Sequence, residues 1–273
     1  MSQDQWDNPQ TLDLAESNYF GRQFATMTDG NVVMVRDTVD GILASILDAD
    51  GTVINARFDA NITVPQATFR YDAPQVVAMP NGGFAVLYQV DRQGSGTNSI
   101  AVDVFSSTGA HQYGGELLPP PGSGFVNFSF LWDLAVNPNG TILFAGTAGQ
   151  GSSSNGALNT VVRGATLTSN GTLSAVLELD ANNAIGLNPN AEDPRFNDIV
   201  ALDDGRFAMT VWERDAVGLT SQRTFDLIIF SEDGIELDRI SITDTSDPEA
   251  SGVANLAIDG SKSLFVTYVE NDL

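Results

Sequence analysis

No cysteine occurs in the 273 residues, and histidine and lysine occur once each, as His111 and Lys262. The first absence excludes disulfides, thiolate metal centres and thiol nucleophiles together. A single histidine excludes a multi-histidine metal site, and any Ser-His-Asp arrangement has to use His111. Its setting, SSTGAHQYGG beside a hairpin turn, reads as an exposed turn histidine. Cations are scarce: 12 Lys and Arg stand against 35 Asp and Glu, for a formal net charge of −23. Such a surface repels a phosphate backbone and an anionic membrane, so no nucleic-acid partner is expected. No apolar run approaches the roughly 20 residues of a membrane span, so no membrane insertion is expected. The first residues, MSQDQWDNPQTLDLAES, lack the basic and apolar regions of a signal peptide. Helical periodicity of useful length is missing as well.

What the chain has in quantity is repetition. Five segments share apolar stretches around an Asp/Asn-Gly or related turn: FATMTDGNVVMV, VVAMPNGGFAVLY, LAVNPNGTILFA, IVALDDGRFAMTVW and LAIDGSKSLFVTYV. The last is imperfect, with Lys262-Ser263 where the turn is expected. Asn-Gly or Asp-Gly between apolar runs predicts a hairpin with positive φ at the centre of its turn. A second hairpin follows each of the first four, at ASILDADGTVINA, VDVFSSTGAHQ, GATLTSNGTLSAV and LIIFSEDGIELDRI. Four antiparallel strands returning with a period of 50 to 65 residues predict an all-β fold, a β-propeller of four-stranded antiparallel blades. An array of β-sandwiches is the alternative. We read one domain over 1–273, with repeats at approximately 18–70, 71–125, 126–190 and 191–245 and a half-repeat at 246–273. That gives about five blades, or part of a larger propeller. The segment DNPQTLDLA is expected to supply a closing strand, with Trp6 docked beside it.

The motif DAPQVVAMPNGGFAVLY, together with ILDADGTVI at Ile46–Ile54, resembles the repeats of large acidic secreted bacterial proteins of the hemolysin-type (RTX-like) calcium-binding and adhesin group. The resemblance implies an extracellular or cell-surface location, calcium as a cofactor, and an adhesive role. The glycine-rich calcium nonapeptide of that group is absent from this chain.

Candidate chemistry gathers in the loops that a propeller places on one face, the connections from second to third strand and from blade to blade. They carry Asp72, Asp91, Asp193, Glu213, Asp215, Asp247 and Glu249. Oxygen-rich clusters suit hard cations such as Ca²⁺, and converging acid pairs suit a glycosidase. A solvated acidic rim with weak local ion pairs is the plainer reading. Arg36, Arg92 and Arg214 fall at similar places in different blades, which suggests a cluster for a carboxylate ligand. Asp48-Ala-Asp50-Gly51 begins like a calcium loop but reads as a structural turn. Trp132, Trp212, Tyr88 and Tyr268 lie in or beside strands and read first as core, second as a sugar-stacking surface. GSGTNS (94–99) and GQGSSSNG (149–156) read as flexible loop insertions.

Three functions remain open on these residues. The first is a monomeric, non-enzymatic extracellular binding or adhesion module for a glycan or protein on a cell surface, dependent on Ca²⁺. The second is a propeller-type hydrolase acting on a glycan or lactone; it requires carboxylates to converge near the axis with perturbed pKa values. The third is a structural spacer in a giant surface protein.

Overall fold

The computed structural model describes residues 22–38, 41–64, 70–92, 97–117, 125–150, 160–174, 177–178, 195–214, 223–242 and 250–270. They form strands and turns only. The first sheet holds β1 (Arg22–Thr26), β2 (Val32–Thr38), β3 (Gly41–Leu47) and β4 (Val53–Asp59). The second holds β5 (Arg70–Ala78), β6 (Phe84–Arg92), β7 (Thr97–Phe105) and β8 (His111–Leu117). The third holds β9 (Phe125–Val136), β10 (Ile142–Gln150), β11 (Thr160–Leu167) and the short β12 (Leu177–Glu178). The fourth holds β13 (Arg195–Ala201), β14 (Phe207–Arg214), β15 (Arg223–Phe230) and β16 (Glu236–Ser241). The fifth holds β17 (Ala250–Ile258) and β18 (Leu264–Glu270). Every sheet is an antiparallel meander in which chain neighbours pair. Residues 7–15 and Trp6, expected to close the ring, lie outside the described residues.

The cores lie between sheets. Val35, Ile42 and Ala44 of the first pack against Phe84, Val86 and Tyr88 of the second. Leu87 and Val102 meet Trp132 and Phe144 of the third. Leu143 and Ala145 meet Phe207 and Met209 of the fourth, whose other face carries Ala208, Leu227 and Ile229 against Leu256 of the fifth. Face-to-face stacking of four-stranded meanders in series is a β-propeller. It also explains a detail of sequence. A strand covered on both faces is apolar at successive positions rather than alternately, and Phe84 through Tyr88 in β6 are all fully buried.

The turns differ from expectation in one respect. In the first four repeats the glycine N–H donates to the carbonyl three residues back, as Gly82 does to Met79 at 3.0 Å. The residue at that carbonyl then donates its own N–H across the turn, Met79 to Gly83 at 2.8 Å. Positive φ belongs to the glycine alone, +90° at Gly82, so this is a type I turn closed by a left-handed residue rather than a turn left-handed at its centre. In the fifth repeat Gly260 comes too early, and Lys262 takes the left-handed place with φ 69°. In the Asp48-Asp50 turn, Asp48 Oδ1 accepts the N–H groups of Asp50 at 3.0 Å and Thr52 at 2.8 Å, so the carboxylate is used by the turn itself.

Two segments read as loop insertions are partly strand: residues 97–99 open β7, and Gly149 and Gln150 close β10. Tyr88 and Trp132 are core, as read first, and Trp132 Nε1 donates to the Ala73 carbonyl at 3.3 Å. The side chains of Trp212 and Tyr268 lie outside the described residues.

Candidate active site

Each sheet begins with the strand nearest the axis. β1 lies beside β5, β5 beside β9, β9 beside β13, and β13 beside β17. Seven residues before the left-handed turn residue, each of these inner strands carries a polar side chain: Gln23, Gln75, Asp133, Asp198 and Asn255. Strand register confirms the common level, since their partners Val35, Leu87, Ala145, Thr210 and Thr267 all stand five residues after that turn residue. The pairing is interrupted just ahead of this level in four strands, between Asp72 and Gln75, Phe128 and Trp132, Phe196 and Asp198, and Ala250 and Ala254. Such bulges re-aim the side chains that follow them and recur next to active sites.

Two members of the ring are acids in contact. Asp133 and Asp198 share a side-chain hydrogen bond. Asp133 Oδ1 accepts the Leu134 N–H at 2.8 Å. Asp198 is held more firmly: Oδ1 accepts the Ile199 N–H at 2.8 Å and Oδ2 accepts the Leu256 N–H of the next sheet at 2.6 Å. Burial pushes the Asp133 carboxyl up to about 7, and the neighbouring Asp198 charge adds to the shift. Burial raises Asp198 as well, against the pull of the two N–H groups and of Asp133. Two like acids at hydrogen-bond distance titrate as a unit that keeps one proton while the other carboxyl is ionised. Asp133, with one N–H donor against two for Asp198, is the member that keeps it. Both side chains remain partly exposed, so the proton is within reach of solvent and ligand.

The sequence signal for this pair stood in the repeats themselves. Aligned on the turn, DLAVNPNG and DIVALDDG match QVVAMPNG and QFATMTDG position by position. Reading the hairpins only for their apolar residues and turns passes over the one inner-strand position that is polar every time.

Most of the acids and arginines singled out from sequence fall beyond what the structure describes. Asp193, Asp215, Asp247 and Glu249 lie outside the described residues, as do the side chains of Asp72, Glu213, Arg92 and Arg214. Asp91 is half-buried near the end of β6, paired with Arg70 and Asn98 along the backbone. Arg36 is buried in β2. The three arginines do not share a level: Arg36 stands six residues beyond its turn glycine, Arg92 ten and Arg214 nine. Among the described residues, no group of three or more His, Asp or Glu side chains stands close enough to hold a metal ion.

His111 is more than an exposed turn residue. Its Nε2 lies 2.7 Å from the Asp103 carboxylate, and its ring packs edge-on against Phe105. Asp103, fully buried, also accepts from the Tyr88 hydroxyl at 2.7 Å and the Ile62 and Thr63 N–H groups at 2.9 and 3.1 Å. Donors fill this carboxylate, which ties the connection after β4 to the second sheet and leaves no room for a nucleophile's partner.

No family model matches the sequence, and no curated protein does. The fold is similar to that of an α-L-arabinofuranosidase of glycoside hydrolase family 93 from Fusarium graminearum, solved with arabinobiose. The two are 12% identical over 90% of this chain and 73% of that one, with a TM-score of 0.54. It is also similar to an ulvan lyase of polysaccharide lyase family 25, solved bound to -[GlcA(1-4)Rha3S]-. There the identity is 10% over 86% of this chain and 57% of that one, with a TM-score of 0.53. These are glycan-processing propellers, not hemolysin-type calcium-binding adhesins, and the RTX-like resemblance is corrected accordingly. The shared pattern is hairpin chemistry: an Asn/Asp-Gly turn between apolar strands is a general hairpin signal and suits a strand covered on both faces.

Proposed function

We propose that the protein is a propeller hydrolase acting on a glycan, with the Asp133–Asp198 pair as its acid. The observation that supports this is the convergence of two carboxyls from adjacent inner strands, one holding a proton to about pH 7. A glycosidase sets its two working carboxyls roughly 5 to 9.5 Å apart. Asp133 and Asp198 are in contact, so together they fill one role. Asp133 donates its proton to the glycosidic oxygen as the C–O bond breaks. Asp198, fixed by the Ile199 and Leu256 N–H groups, holds Asp133 in place and raises its proton affinity. Water adds to the anomeric carbon and gives its proton to a second, separate carboxylate, from which solvent returns a proton to Asp133. Asp72 and Asp193, just ahead of the two inner-strand bulges at Gln75 and Asp198, are the residues to test for that second role. A polymeric substrate suits an extracellular or cell-surface site of action.

Hydrolysis of a panel of plant and algal polysaccharides, followed by reducing-end release, tests the proposal. Asp133→Asn is expected to lower kcat by about 10²- to 10⁴-fold while the protein stays folded. Activity equal to the parent in that variant, or no release from any glycan by the native protein, would sink it.

A further inference from the structure

We infer that Gln23, Gln75 and Asn255 are sugar-binding members of the polar ring, and that the ring selects an uncharged glycan. The inference rests on the glycan reading above and adds its substrate class. The three amides stand level with the acid pair on β1, β5 and β17. Among the described residues, none of the three spends its side chain on a hydrogen bond within the protein. Gln23 and Asn255 are exposed and Gln75 is partly so. A free amide offers two donors and an acceptor, which matches the hydroxyls of a neutral sugar. Bulges end at Gln75 and next to Asn255, as they do next to the two acids, so the same backbone device serves amides and acids alike.

Thr210 adds an independent sign of a ligand. It pairs directly with Asp198 across β13 and β14, which puts both side chains on one face. It is fully buried, and its Oγ1 finds no hydrogen-bond partner among the described residues. A buried hydroxyl left unpaired costs about 1 to 3 kcal/mol, so a hydroxyl held beside the acid pair fits a bound group that completes it. Charge sets the class of that group. Among the described residues, the five ring positions carry two carboxyls and three neutral amides and no cation, on a protein of net charge −23. Uronate and sulfate sugars need Arg or Lys to be held and meet repulsion here.

Calorimetric titration of full-length protein carrying Asp133→Asn, which suppresses turnover, tests this. The probes are neutral arabino- and xylo-oligosaccharides and an oligogalacturonate of the same length. Neutral chains are expected to bind and oligogalacturonate not to. Adding Gln75→Leu is expected to weaken neutral binding about tenfold, and Gln75→Glu, which keeps the shape, to weaken it at least as much. Equal binding of the acidic chain, or unchanged affinity in both Gln75 variants with melting temperatures preserved, overturns the inference. If native protein cleaves neutral glycan and the Gln75 variants keep its KM, the ring falls and the acid pair stands. Binding through Gln75 without any cleavage by native protein gives the reverse, and no binding of either class overturns both.

Discussion

Asp133 keeps its proton because leaving water costs the charged form more than the neutral one, and because Asp198 already carries the charge the site can hold. The same fact shapes stability. Unfolded, this carboxyl titrates near its ordinary 3.8; folded, it titrates at about 7. Between those values the native state binds the extra proton, so its stabilising effect is complete below about pH 4 and is lost as pH rises through about 7. Melting temperature is therefore expected to fall between pH 4.5 and pH 8, all of these values being roughly set by that window. Asp133→Asn should flatten the slope, and a slope as steep in the variant would place its origin elsewhere. Catalysis by a protonated Asp133 follows the same ionisation: kcat/KM should decline with a midpoint near pH 7 as the acid is lost.

Elements in this fold are specified twice, by turn chemistry and by burial. The turns were legible in the sequence because Asn/Asp-Gly has one strong use between apolar runs, and the four complete four-strand units follow from them. The choice among turn types was not legible, since the same dipeptide serves a turn left-handed at its centre and one closed by a left-handed glycine. The fifth repeat makes this distinction measurable. Lys262 occupies the left-handed place with φ 69° while Gly260 lies two residues too early, and its ion pair to Asp203 at 3.3 Å is exposed on both sides. Relieving a side chain of that conformation is worth about 1 kcal/mol, so Lys262→Gly should raise stability by that order in urea unfolding. The acid pair escaped the sequence reading for a different reason. Its two residues come from different repeats, and their contact depends on neighbouring inner strands meeting level, a fact of stacking that no single hairpin encodes. Asp103 was hidden likewise in the apolar run VDVF, yet it collects donors from a connection forty residues upstream. Asp103→Ala should lose about 3 kcal/mol of stability by stranding several buried donors, and His111→Ala, at the partly exposed edge of that network, nearer to 1.

The whole molecule carries a charge of −23 in a compact form, and like charges gathered on one body oppose folding. Screening should relieve that strain. Raising salt from about 10 mM to about 150 mM shortens the Debye length from roughly 30 to 8 Å, and the melting temperature should rise over that range; a flat response would mean that the acids are already offset locally. Stacked sheets also make the architecture additive along the chain, each blade resting on the next through its own apolar cluster. Polar groups also cross from blade to blade, as where the Asn137 side-chain amide donates to the Gly205 carbonyl at 2.9 Å, and one such link belongs to the ring of inner strands. There the Asp198 carboxylate grips the Leu256 amide of the fifth sheet at 2.6 Å. That amide is consequently a built-in voltmeter: its proton resonance should move downfield as the pair takes on negative charge, reporting from one residue whether the acid is loaded, spent or covered by sugar.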